Sequence, residues 1–239
     1  MQSGRPMGPS GTTPPGQDFG ADKVPPAVEA QLLATEHWSL LATRSTAQSE
    51  VLTRISILLT LVSASVVSLA LVGQATEFSG RFRGFALALL GFVLVAGSLT
   101  LIRVHNASEE DMALVIGMNR LRAAYVRLAP NVEHHLIASR FDDDDGVAQT
   151  YNYFRIPDIS QILGSTGMLV AMVNAVIAGA FAGLAADGWD ASTTVSAAAA
   201  VTVGLAYIAA VVALALRRYF GVRARYIALF PTSTQADDQ

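Results

Sequence analysis

Four consecutive carboxylates, Asp142, Asp143, Asp144 and Asp145, stand directly before Gly146 in the stretch SRFDDDDGV, in a chain of 239 residues of which only 15% are charged. Carboxylates in front of a glycine are the raw material of a calcium loop. An EF-hand, however, needs oxygen ligands at alternate positions and a bidentate Glu at the twelfth. Here the first alternate position is Phe141 and the twelfth is Asn152. The run is therefore expected to be a solvated loop tip, held extended by repulsion between like charges. His134 and His135 are adjacent, so on a helix their rings point about 100° apart. Zinc helices instead offer ligands four residues apart, and no third ligand follows at a fitting distance. The pair reads as a surface helix turn, and Glu36 with His37 as the polar face of an earlier helix. The chain has no cysteine, which removes disulfides, thiolate nucleophiles and Cys-type metal sites. It also carries no P-loop, dinucleotide fingerprint, nucleophile elbow or HExxH motif. No catalytic residue, metal site or cofactor is expected, and the chain reads as a non-enzyme.

The elements around these residues are set by an apolar composition. Hydrophobic residues make up 52% of the chain and the mean hydropathy is +0.42, while an ordinary soluble domain is roughly 25% charged. A net charge of −3 speaks against nucleic acid, whose binders need a surplus of Lys and Arg. Four uncharged segments, 55–75, 85–102, 162–186 and 193–216, each have the roughly 17 to 25 residues that a helix needs to cross about 30 Å of hydrocarbon. The fold class is thus all-α, a polytopic membrane protein with four transmembrane helices and a helical layer outside the bilayer. Arginines lie before the first span (Arg44, Arg54), between the second and third (Arg103, Arg120, Arg122, Arg127, Arg140, Arg155) and after the fourth (Arg217, Arg218, Arg223, Arg225). The other side has only Arg81 and Arg83. The positive-inside rule puts both termini and the middle connection in the cytoplasm of a multi-pass plasma-membrane protein. Aromatics at Phe78, Phe82 and Trp189 on one side, and Tyr151, Tyr153, Phe154, Tyr219 and Phe220 on the other, fit two interfacial belts.

The organisation follows. Residues 1–26, rich in Pro and Gly, have too little apolar sequence to order. Residues 27–54 form a helix leading into the membrane, 55–102 a first transmembrane hairpin, 103–155 a cytoplasmic helical connection with the acidic loop, 156–216 a second hairpin and 217–239 a cytoplasmic tail. In the connection, Ser108 stands three residues before Asp111, a capping-box pattern with Glu109 and Glu110 in the first turn, so a new helix is expected to start there and to stop at Pro130. Leu114, Met118, Leu121 and Tyr125 then fall on one apolar face. Its expected partner is the 27–54 helix, where Leu33, Ala34, Trp38, Leu40 and Leu41 form a stripe. Trp38 lies about 25 Å from Ile55 at 1.5 Å per residue, too far to anchor at the bilayer surface, and is expected to be buried against the other helix.

No Asp, Glu, Lys, Arg or His falls within any span, which speaks against ion-coupled transport. The spans instead carry small and weakly polar residues. Ala171, Ala175, Gly179 and Gly183 form a small-xxx-small ladder beside Asn174, and Ser56, Thr60, Ser63, Ser65 and Ser68 mark the first span. Small residues let helices approach closely in lipid, either within one chain or between copies.

At LLATRSTAQSEVLTRISILLTLVSASVVSLALVGQA and GMNRLRAAYVRLAP the chain resembles actinobacterial four-span membrane proteins described only as hypothetical. A helix leading into two spans and then a cytoplasmic helix is also similar in layout to SLATT domains, a resemblance that implies a pore-forming effector. The two further spans depart from the SLATT layout. The functional expectation is a membrane protein that self-associates as a homo-oligomer, with a pore or sensor role. The competing expectation is a monomeric adaptor that recruits a soluble cytoplasmic partner.

Overall fold

The computed structural model describes residues 24–153, 164–189, 191–223 and 226–232. The Pro/Gly-rich segment up to residue 23, Phe154, Arg155, the first two residues of the expected third span and the side chains of Arg223 and Arg225 lie outside what it describes. The chain forms α1 (Pro26–Ala75), α2 (Gly80–Leu128), a 3-10 turn (Pro130–His135), α3 (Asp144–Tyr151), α4 (Thr166–Asp187) and α5 (Thr193–Arg223). Among the described residues there is no strand. The helices α1, α2, α4 and α5 are each long and apolar enough to cross a membrane.

The first two helices are far longer than a bilayer requires. At 1.5 Å per residue each extends about 75 Å, so the arginine-rich halves project roughly 40 Å beyond the expected spans as a two-helix stalk. The expected helix start at Ser108 is absent, and α2 runs through it without a break. Nothing between Arg103 and Asp111 is a helix breaker, and the Ser108 hydroxyl donates to the carbonyl of Val104 at 3.0 Å, a back-bond that a mid-helix serine makes and a capping serine does not. The acidic triplet then serves ion pairing instead of a helix terminus. Arg103 bridges Glu50 at 3.1 Å and Glu110 at 2.8 Å, and Arg218 lies 3.6 Å from Glu109.

Covered positions of α1 trace a line through Leu33, His37, Leu40, Arg44, Ala47, Val51, Ile55, Leu58, Val62 and Ser65, spaced three or four residues apart as in a coiled-coil seam, with Leu61 also half-buried beside Val62. Contacts with α2 mark this seam. The Tyr125 hydroxyl donates to the Leu33 carbonyl at 3.0 Å, the rings of His37 and Tyr125 stack at 5.8 Å, and Leu40 lies 3.1 Å from where a Cβ of Gly117 would stand. Trp38 is not on this seam. It is 73% exposed, because the seam passes through the neighbouring His37 and Arg44 and turns Ala34, Trp38 and Leu41 outward.

The hairpin turn, 76–79, is tight. Glu77 and Phe78 both adopt the left-handed region, at φ 48° and 54°, and the Phe78 N–H donates to the Gly73 carbonyl at 3.0 Å, which closes α1 as left-handed caps do. The Phe78 ring covers Gly73 so closely that a Cβ there would lie 2.5 Å from it. Helix α4 packs on α2 and, most extensively, on α5, while α1 and α5 scarcely touch among the described residues. The four spans therefore follow one another in the order α1, α2, α4, α5. One apolar cluster joins Ile55, Leu58, Leu101, Val104, Val170 and Ala171, and a second joins Leu90, Val93 and Ile177.

Candidate functional site

The acidic run is not a wet tip. Asp142 is fully buried and receives four donors. Its Oδ2 accepts from Arg120 Nε at 2.7 Å, the Tyr226 hydroxyl at 2.8 Å and the Leu229 N–H at 3.0 Å, and its Oδ1 accepts from the Phe230 N–H at 2.7 Å. Asp143 caps α3 by accepting from the Gly146 N–H at 2.9 Å, and it accepts from the Thr232 N–H at 2.6 Å and the Thr232 hydroxyl at 2.9 Å. The expectation of a solvated tip is corrected accordingly. The repulsion that would keep the loop open is offset by a guanidinium and by three backbone N–H groups from a segment more than eighty residues away. Only Asp144 and Asp145 remain exposed, in the first turn of α3, where they complement the helix dipole.

Electrostatics agree with the geometry. Burial pushes the Asp142 carboxyl up, but the bonds from Arg120, Leu229, Phe230 and Tyr226 together hold it below the usual carboxylate range. Asp143 is likewise held low against burial, by Thr232 and Gly146. Tyr226 is pushed up to about 12, by burial first and then by its bond to Asp142. Next to this clasp is a buried amide. Asn119 donates to the carbonyl of Phe141 at 2.7 Å and accepts from Arg122 at 2.7 Å and from the Thr150 hydroxyl at 3.0 Å. Gly146 is needed here, since a Cβ would collide with the Phe141 carbonyl oxygen. Nearer the membrane, Asp111 takes a two-pronged bond from Arg44, at 2.6 and 3.1 Å, and one from the Tyr151 hydroxyl at 2.6 Å. Burial raises its carboxyl, and those bonds more than reverse the shift.

Within the spans the small-residue ladder lies against α5 of the same chain. A Cβ on Gly179 would stand 2.7 Å from the Ala200 carbonyl oxygen, and one on Gly183 would stand 3.2 Å from the Ala200 Cβ. The reverse contact pairs Gly204 with the Ala175 carbonyl oxygen at 3.1 Å. Ala171 and Ala175 are buried, and Asn174 is fully buried one turn away. Its amide donates to the Tyr207 hydroxyl at 3.1 Å, and Tyr207 pairs with Ser98 at 3.0 Å. The Asn174 Oδ1 has no hydrogen-bond partner among the described residues. It occupies the place where a Cβ of Gly97 would be, so only the bare backbone of α2 at this glycine admits it.

Of the face expected to pack against α1, Met118 is buried and Leu114, Leu121 and Tyr125 are half-buried, while Trp38 points away. Sequence reasoning missed Asp142, Asp143, Asn119, Arg120 and the tail around Tyr226. The one local signal was Asp143 three residues before Gly146, a capping spacing. His134 and His135 lie exposed on the 3-10 turn.

The architecture defines an all-helical protein with four membrane-spanning helices and a hydrogen-bonded helical layer on its arginine-rich side. No protein-family model, curated protein or solved structure matches the chain.

Proposed function

We propose that the chain is a non-enzymatic membrane protein that self-associates through the outward face of α1, with its arginine-rich layer in the cytoplasm of a plasma membrane as a sensor or gate. What carries this reading is a stripe of hydroxyls. Ser49, Thr53, Ser56, Thr60 and Ser63 are all exposed, three or four residues apart, and each donates to the carbonyl four residues back, at 2.9, 2.8, 3.0, 2.9 and 2.8 Å. These back-bonds satisfy the donors within the helix and leave a weakly polar face of small side chains, the kind of face that packs closely in lipid. A second α1 laid against the stripe offers close backbone approach and interhelical hydrogen bonds of about 0.6 to 2 kcal/mol each. The α4 ladder is occupied by α5 of its own chain, so α1 is the better self-association face. A parallel two-fold pair would also bring the exposed Trp38 and Leu41 of each copy to the same side.

Native mass in lipid nanodiscs tests this reading. Wild-type protein is expected as a dimer or larger, and Ser56→Leu/Thr60→Leu/Ser63→Leu as a folded monomer. A wild-type monomer at every lipid composition rejects it. Trp38 favours a second reading, a monomeric adaptor, because it stands outside the hydrocarbon where a soluble protein reaches it. A stoichiometric soluble partner lost in Trp38→Ser, recovered with monomeric wild type, would select that alternative.

The arginine asymmetry supports the orientation. In this cysteine-free chain, Ser79→Cys and Asp187→Cys are expected to react with an impermeant thiol reagent in intact cells, and Gln149→Cys is not. The reverse pattern rejects the orientation. Gln149 serves as the inner probe because it is exposed, whereas Gly146 has no room for a side chain.

A further inference from the structure

We infer that the loop 141–143, together with Arg120 and Arg127 of α2, is a peptide-recognition site, and that the chain's own tail, 226–232, fills it as a displaceable ligand. The partner it fits is a protein segment with an aromatic residue, then proline, then threonine or serine. The site is built without the tail. Asn119 donates to the Phe141 carbonyl at 2.7 Å, the Phe141 N–H donates to the Ser139 hydroxyl at 3.1 Å, and Asp143 caps α3 through the Gly146 N–H at 2.9 Å. None of these bonds involves the tail, so both carboxylates keep their direction when it leaves. The tail, in turn, gives the fold little apolar burial. Ile227 and Leu229 are 81% and 62% exposed, so directed polar bonds carry most of its attachment. Once it departs, Asp142 retains the bond from Arg120 and Asp143 the bond from Gly146. Their remaining lone pairs are then open to a second segment of the same chemistry.

The seated tail defines what the site selects. The chain bends at Leu229 and Phe230, and their successive N–H groups converge on Asp142 at 3.0 and 2.7 Å, as backbone donors do in anion-binding turns. The Phe230 carbonyl accepts from the Asp142 N–H at 3.2 Å in return. Pro231 has no N–H to leave unpaired, and it keeps the residue before it out of helical backbone. Thr232 then gives Asp143 both its N–H and its hydroxyl, at 2.6 and 2.9 Å. Side chains add to the match. Arg127 lies over the Phe230 ring at 5.2 Å, a cation–π contact, while Arg120 lies over the Tyr226 ring at 5.7 Å and donates to its hydroxyl at 3.1 Å. A phosphothreonine in place of Thr232 would set a second anion against Asp143 and is rejected.

Fluorescence anisotropy tests this with a peptide of residues 226–232, labelled at its amino end and amidated at the other, added to the full chain in lipid nanodiscs. Leu229→Pro/Phe230→Pro/Thr232→Pro removes the backbone N–H groups that the tail gives to the two aspartates, and so frees the site without altering it. The peptide is expected to bind this variant saturably and at least tenfold more tightly than wild type, whose own tail competes. Methylating the peptide's nitrogens at Leu229 and Phe230, or phosphorylating its Thr232, is expected to weaken binding at least tenfold. Adding Asp142→Ala to the triple variant should do the same. Absence of saturable binding to the triple variant overturns the proposal. So does equal affinity for wild type, or binding that survives both N-methylation and Asp142→Ala.

Discussion

In Asp142→Ala the C-terminal segment is expected to detach from the loop while the four spans stay assembled. The substitution leaves Arg120, Tyr226 and the N–H groups of Leu229 and Phe230 without their acceptor. Breaking a buried, hydrogen-bonded charge pair from one side costs about 3 to 5 kcal/mol. Taking about 3 kcal/mol, amide exchange at Leu229 and Phe230 should accelerate about a hundredfold, with exchange in α4 unchanged. Asp142→Asn, which keeps one oxygen acceptor, should give a smaller acceleration. The same linkage fixes the pH response. Both Asp142 and Asp143 have depressed folded-state values, so the unfolded or detached chain binds protons more readily. Their contribution is complete above about pH 4, the ordinary carboxylate value, and is lost as pH falls below it. Tyr226 acts at the other end of the scale. Its raised value means that its contribution is complete below about pH 10 and is lost as pH rises toward about 12. Tail release on mild acidification from pH 8 to 6 in wild type, or protection unchanged in Asp142→Ala, would contradict the clasp.

Gly179→Leu is expected to be the most damaging change within the membrane. Even a single added carbon at this position would stand 2.7 Å from a backbone oxygen of α5, and a helix backbone cannot yield as a side-chain tip can. Overpacking of this kind costs about 1 to 3 kcal/mol, and more where backbone must move. In lipid no apolar driving force compensates for the lost packing. Gly179→Ala should cost less than the leucine change. Gly84→Ala, where a Cβ meets nothing within 4 Å, should be neutral or stabilising by up to about 1 kcal/mol, since alanine is the better helix former. The reading can be checked by thermal unfolding in detergent, with native mass followed in parallel. A well-folded Gly179→Leu protein of halved mass would move the ladder to a subunit interface.

The spans were legible because the bilayer imposes a length and a composition that sequence displays directly. Their ends were less so. Ser108 looks like a cap and behaves as a back-bonded interior residue, because no breaker forces a boundary beside it. Trp38 was misplaced for a related reason. The true seam passes through His37 and Arg44, whose polarity hid it, and the adjacent stripe of Ala34, Trp38 and Leu41 looked more apolar. The acidic loop could not be read locally at all. Its partners are Arg120, twenty-two residues before Asp142, and backbone N–H groups of Leu229 and Phe230, which have no signature in side-chain identity. The ladder was visible as a pattern of small residues, but only the close approach of Ala200 and Ser196 identifies the helix that fills it.

The proposed association along α1 is tested most directly by disulfide trapping in native membranes. Single cysteines at Ser56, Thr60 and Ser63 in the otherwise cysteine-free chain should form covalent dimers on mild oxidation. A cysteine at Ile57, 63% exposed but turned off the stripe, and one at Val176, 73% exposed on α4, should remain monomeric. Efficient dimers at the three stripe positions alone are the predicted result. No dimer at any of them, or equal yields at Ile57 and Val176, would contradict self-association through this face.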